Sequence, residues 1–201
     1  MSKVIFVTGF GPFAGHEERN ASWEAVKLLP DSYQHQHGKY IMKKLQIPVT
    51  YEAVDAAVPK IWSQNPTLVI HVGVHGRIET INLEKCAYTS GYCRPDFANK
   101  CLPCDKITLK NNDQCSVLKT NLDVEAIAGE LNKVANCCCS KEVGSYLCGY
   151  IYLKSLDINP DRTLFIHVPD VNRPYSSEQT KDVIFQVLDQ CMKQLEKNDK
   201  L

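Results

Sequence analysis

Apolar residues follow two alternating rhythms along this chain. Short continuous runs, several rich in Val and Ile, occupy residues 4–8, 67–72 and 164–168. Runs of that length bounded by Gly or Pro read as strands buried on both faces, with Gly9, Gly73 and Pro169 as their stops. Residues 41–49 and 79–88 alternate instead, as half-buried strands do. In the second of these, Ile81, Leu83 and Ala87 share one face, while Thr80, Asn82, Glu84, Cys86 and Tyr88 share the other. Residues 137–142 form a shorter strand candidate. Helical spacing fills the gaps at 20–29, 52–63, 123–134, 146–156 and 176–197, with a kink expected at Pro59. Ser176 and Gln179 make a capping box at the start of the last helix.

Strands alternating with helices predict an α/β fold: one open, twisted, mostly parallel sheet with helices on both faces. Residues 89–122 break the rhythm. They are rich in Gly, Pro, Asn and Asp and read as an irregular excursion, with a hairpin as a candidate form, projecting from the sheet. No repeat or linker divides the chain, so residues 1–201 are expected to form a single domain. Lys+Arg and Asp+Glu are both 23, and this formal neutrality argues against nucleic acid and anionic membranes as partners. No segment reaches the ~20 apolar residues of a membrane span. The first residues lack the ~7–15-residue apolar core of a secretory signal, so a cytosolic location is expected and the Asn20-Ala-Ser22 sequon is idle. The oligomeric state, monomer or homo-oligomer, is left open.

Ten cysteines in 201 residues fall below the ~8–10% of disulfide scaffolds, and most are expected as free thiols. Cys101-Leu-Pro-Cys104 has metal-ligand spacing, but half a zinc site without a partner pair is weak support. Cys93 and Cys115 lie in the same excursion. No metal or cofactor is expected.

Four places carry candidate chemistry. Gly9-Phe-Gly-Pro-Phe-Ala-Gly15 follows a buried strand, but its glycines fall at relative positions 1, 3 and 7, which defeats a dinucleotide fingerprint. Phe10 and Phe13 are either core plugs or an apolar wall for a small flat ligand. In Gly144-Ser-Tyr-Leu-Cys148, a cap at Ser145 would put Cys148 at the third position of a helix. The free N–H groups there favour a thiolate. Otherwise Cys148 is a buried structural cysteine. His167, near the end of its strand and 19 residues after Cys148, fits a Cys–His pair; it is otherwise a satisfied core histidine. His71 competes with it. Glu84 is either a solvated strand carboxylate or the group that orients an imidazole.

Six blocks carry a family resemblance: Val7-Thr-Gly-Phe-Gly-Pro-Phe13, Asn20-x-Ser22, His71-Val-Gly-Val74, Leu83-Glu-Lys-Cys86, Gly144-Ser-Tyr-Leu-Cys148 and Phe165-Ile-His-Val-Pro169. In this order and spacing the chain resembles the pyroglutamyl peptidase I (pyrrolidone-carboxylate peptidase) family, and its wording is closer to the animal branch. The resemblance implies an α/β/α sandwich and a cytosolic cysteine peptidase that removes N-terminal pyroglutamate from small peptides. It implies Cys148 as nucleophile, His167 as general base and then acid, and Glu84 as orienting acid. It also implies that Phe10 and Phe13 bound the lactam ring and that Tyr146 and Leu147 help close the pocket. Asn20 would brace the phenylalanine loop, and backbone groups near Val74 would meet the lactam amide. Two residues depart from the family pattern: Gly149, where Asn or Asp is usual, and Val143, where a small residue is usual. They motivate an alternative, a catalytically weak paralogue that binds pyroglutamyl peptides.

Overall fold

The computed structural model describes residues 3–13, 19–103 and 106–198. In chain order the elements are β1 (Val4–Phe10), α1 (Ala21–Val26), β2 (Ser32–His35), β3 (Gly38–Ile47), α2 (Tyr51–Trp62), β4 (Leu68–Val74), β5 (Ile81–Glu84), β6 (Cys86–Tyr88), β7 (Val117–Lys119), α3 (Val124–Leu131), β8 (Cys137–Ser140), α4 (Leu147–Ile158), β9 (Thr163–Val168) and α5 (Ser177–Lys197). Seven strands form one sheet in the order β2-β3-β1-β4-β9-β5-β8, and β6 pairs with β7 in a small second sheet. Strands β3, β1, β4 and β9 run parallel. The sheet is therefore mostly parallel but mixed, with β2 antiparallel to β3 and β5 antiparallel to β9.

The direction of β5 follows from its connection. Only residues 75–80 separate β4 from β5, whereas a parallel crossover needs a dozen or more. β5 therefore starts at the end of the sheet where β4 finishes and runs back alongside β9.

Period-two alternation sorts the side chains of the central strands. Ile5, Val7, Ile70, Val72, Leu83, Leu164 and Ile166 face a core closed by α1, α3 and α5. Phe10 and Phe165 face the opposite core, under α2 and α4. α4 is buried on most of its circumference, as expected for a helix packed on both sides. The sheet lies beneath it, and the excursion covers it.

That excursion does not project. Residues 89–103 and 106–116 fold down over α2 and α4, and Tyr92, Asp96, Ile107 and Leu109 are buried. Two carboxylates pin it. Asp96 accepts from the backbone N–H groups of Tyr51, Ala98 and Lys100 at 2.9–3.0 Å, which ties the excursion to the start of α2. Asp157, near the end of α4, accepts from the N–H groups of Lys110 and Asn111 and from the amide of Asn112.

Other boundaries also differ from expectation. Gly9 and Gly73 do not stop their strands; both lie inside them. A Cβ on Gly9 would sit 2.8 Å from the Cα of Trp23, so the glycine lets α1 approach the sheet. The alternating segment 79–88 divides at Lys85 between two sheets. Residues 32–47 form a hairpin turning at Gln36 and His37, of which the pattern indicated only the second strand. Gly15 and Cys104 lie outside the described residues. No described helix is long and apolar enough to cross a membrane.

Candidate active site

The sheet has a topological switch point at β1, because the chain proceeds from β1 to β3 on one side and then to β4 on the other. Open α/β sheets gather ligands in the crevice beyond the strand ends at such a point. A cavity of about 550 Å³ opens there. Its lining includes Phe10, Phe13, Asn20, Val74, Tyr146, Leu147, Cys148 and His167. Val49, His75, Arg77, Arg94 and Val143 line it as well, and sequence reasoning gave none of these a place there. Among the described lining residues there is no carboxylate.

Cys148 stands at the start of α4. The N-cap is Tyr146, not Ser145, and no side chain caps the helix. Cys148 is thus the second helical residue, not the third. The first-turn N–H groups have no acceptor within the helix and face the cavity end. Three glycines make this placement possible, each for a different reason. Gly144 adopts φ +79°, a left-handed conformation with open space on its Cβ side, so its role is to turn the chain. At Gly149 a Cβ would fall 2.0 Å from the carbonyl oxygen of Gly144. The space for a side chain beside Cys148 is already filled by backbone. A Cβ on Gly73, in the strand below, would meet Cys148 Sγ and Phe165 Cζ, each at 2.8 Å. The thiol rests over the bare backbone of β4. Val143 does not crowd the turn; it is buried in the α2/α4 core.

His167 lies on β9 opposite Gly73 on one side and Asn82 on the other. Glu84 pairs with Phe165, so it is the diagonal neighbour of His167 on the same face, one rung deeper. The Nδ1–H of His167 donates to Glu84 Oε1 at 2.7 Å, and both side chains are almost fully buried. Glu84 is therefore not a solvated carboxylate. Its second oxygen is buried without a hydrogen-bond partner, which leaves the imidazole as its principal counter-charge. Its backbone carbonyl accepts from the Tyr152 hydroxyl at 2.8 Å, which fixes the end of β5 to the middle of α4. Cys148 also acts on the ring of His167 electrostatically, favouring its protonated form. Burial alone would lower the pKa of His167. The bonds and charges of Cys148 and Glu84 outweigh burial and push it up to about 9.

His71 has a different fate. It is fully buried, with Nδ1 2.8 Å from Thr8 Oγ1 and Nε2 2.8 Å from Ser155 Oγ. Burial pulls its pKa down to about 3, so it is a neutral, satisfied core residue.

Around the rim, Phe10 is buried and Phe13 half-buried. Asn20 caps α1 by accepting from Ser22 N–H at 3.1 Å, and its amide donates to the Gly11 carbonyl at 2.9 Å. Ser22 in turn accepts from Phe10 N–H at 2.9 Å. The Arg94 guanidinium lies 4.4 Å from the centre of the Tyr146 ring. His75 meets His167 edge-on, with ring centres 5.6 Å apart.

A sequence profile of pyroglutamyl peptidase matches residues 3–195, nearly the whole chain. The chain belongs to the pyroglutamyl peptidase family. Pyroglutamyl-peptidase 1 of Homo sapiens is 31% identical over 98% of this chain and 93% of its own length. Pyrrolidone-carboxylate peptidase of Finegoldia magna is 30% identical over 97% and 94%. The crystal structure of pyrrolidone carboxyl peptidase from Thermus thermophilus superposes with a TM-score of 0.80 at 25% identity, covering 92% of this chain and 99% of that one. For a member of this family, Gly149 and Val143 are accommodated by local packing and leave the cavity open.

Proposed function

We propose that the chain is a cysteine peptidase that removes an N-terminal pyroglutamyl residue from small peptides. The observation that carries this reading is a thiol, an imidazole and a buried carboxylate in series, opening into a cavity with aromatic walls and no carboxylate among its described lining residues. A general aminopeptidase needs an anionic group to receive a free ammonium. Pyroglutamate is a neutral, flat lactam without a free amine, and the cavity suits that.

In this reading His167 holds the proton of Cys148 as general base, the resulting thiolate Sγ attacks the pyroglutamyl carbonyl, and the first-turn N–H groups of α4 receive the developing oxyanion. His167 gives its proton to the departing amine, and the peptide leaves one residue shorter. A thioester between Cys148 and the pyroglutamyl group remains. His167, now neutral, takes a proton from water, and the resulting hydroxide opens the thioester and releases pyroglutamate. Glu84 keeps the ring oriented through both halves. Phe10 and Phe13 bound the lactam, Tyr146 and Leu147 close one side, and Asn20 holds the phenylalanine loop in place. Backbone groups at Val74 meet the lactam amide. A prolyl residue would leave those polar groups unpaired, a strong form of discrimination. A reducing cytosol fits the free thiols.

The test is release of a fluorescent amine from a pyroglutamyl amide in the presence of reductant, beside the matching prolyl amide. Turnover of the pyroglutamyl amide alone, abolished in a folded Cys148→Ala variant, is the expected result. Full activity in that variant would remove Cys148 as nucleophile. Binding without turnover by the unaltered chain would favour a peptide-binding module.

A further inference from the structure

At the opposite end of the sheet, where the β2–β3 hairpin turns, a second cluster stands apart from the cavity. His35 ends β2, His37 lies in the turn, and Glu196 reaches them from the last turn of α5. His37 Nε2 is 2.8 Å from Glu196 Oε1, and His35 Nε2 is 3.6 Å from Glu196 Oε2. One donor atom from each of the three side chains lies within 4.8 Å of the others. The two imidazoles stack, with ring centres 5.5 Å apart and planes 25° from parallel, and Tyr33 stacks on the far face of His35.

The state of His35 points to a missing ligand. Its side chain is only 8% exposed, and its Nδ1 is buried without any hydrogen-bond partner. Its Nε2 stops beyond hydrogen-bond range of the nearest carboxylate oxygen. An ion on Nε2 would give this buried ring the partner that the carboxylate, at 3.6 Å, does not supply. The geometry is already close to that of a metal site. With bonds of about 2.1 Å, the edge of a zinc tetrahedron is roughly 3.4 Å. The 2.8 and 3.6 Å separations fall on either side of it.

We infer that His35, His37 and Glu196 bind one borderline divalent cation of the Zn²⁺ class, which fastens the C-terminal helix to the edge hairpin. Two imidazoles and one carboxylate suit Zn²⁺ and its neighbours, not Mg²⁺ or Ca²⁺, which demand mostly oxygen. Water would complete the coordination. The ion would hold β2, the edge strand of the sheet, against α5. It would take no part in the chemistry at Cys148, because β2 lies at the far side of the sheet from β9 and the hairpin turn sits at the opposite strand ends.

Thiols compete for such ions, so the probe is Co²⁺, whose spectrum separates ligand types. In a phosphine reductant, the full chain should bind one Co²⁺ with visible ligand-field bands and no thiolate-to-cobalt charge-transfer band. Zn²⁺ should displace it and raise the midpoint of thermal unfolding. His37→Ala and Glu196→Gln should each weaken this binding at least tenfold and remove the Zn²⁺-dependent rise, while turnover of the pyroglutamyl amide without added metal stays at the wild-type level. Co²⁺ bound only through thiolate, or bound equally well by both variants, would overturn the inference.

Discussion

Charge at the Cys148–His167–Glu84 series is set by single atoms. Glu84 sits almost fully buried with one oxygen on His167 and the other on nothing, so its charge is expressed through the imidazole. With His167 raised to about 9, the turnover rate should fall as pH climbs through about 9, when the ring loses the proton that the proposed mechanism assigns to the leaving amine. Glu84→Gln removes a charge that favours the imidazolium, so the alkaline limb should move to lower pH and kcat should fall. A pH–rate profile reads both, and an unmoved limb would separate Glu84 from the titration. Gly73→Ala places a methyl where the thiol and Phe165 already are. A shift of the proposed nucleophile by about 1 Å is enough for a loss of about 100-fold in kcat/KM. Overpacking should also cost about 1–3 kcal/mol, measurable by urea unfolding. Cys148 and His167 could be singled out in the sequence, one just after Gly-Ser at a helix start and the other inside an apolar strand, whereas Glu84 fits the polar face of its alternating strand and stands out only through the family resemblance. Gly73 could not. A glycine near a strand end reads as a stop, and only the thiol packed above it from 75 residues further on gives it another meaning.

Elements place those atoms. The short link 75–80 forces β5 to run antiparallel, and that direction sets Glu84 one rung below His167 instead of level with it. Most of the strands and the five described helices were legible because their periods are strong, while the three-residue β7 was not. The β2–β3 hairpin was missed at its first strand, where only four residues alternate. The excursion was misread as projecting because its buried residues, Tyr92, Asp96, Ile107 and Leu109, follow no period. It is held by carboxylates that accept backbone N–H groups, a device without a sequence rhythm. Asp157→Ala should therefore strand the N–H groups of Lys110 and Asn111 and cost about 1–3 kcal/mol. Limited proteolysis should then cut near residues 108–114 faster than in the unaltered chain. Equal cutting rates would mean that other contacts hold the segment.

At the scale of the molecule, the thiols are sorted by depth. Cys86, Cys137 and Cys191 are buried, while Cys93, Cys101 and Cys115 are exposed along the excursion. Cys148 is partly accessible at the cavity floor beside His167. Brief iodoacetamide treatment of the native protein should label Cys148 first, then the exposed three, and the buried three only after unfolding. Peptide mass spectrometry gives the order, and activity should disappear with the first label. Labelling of Cys148 after the exposed three would count against it as the most reactive thiol of the native protein.

The absence of any carboxylate among the described cavity-lining residues reaches beyond recognition of one ring. Nearly every polypeptide begins with a positive charge, and this cavity presents two arginines to it. A hydrolase built this way is harmless to its neighbours through the chemistry of its mouth. Cyclisation of a terminal glutamine or glutamate, which erases that charge, then acts as the mark that admits a peptide to destruction.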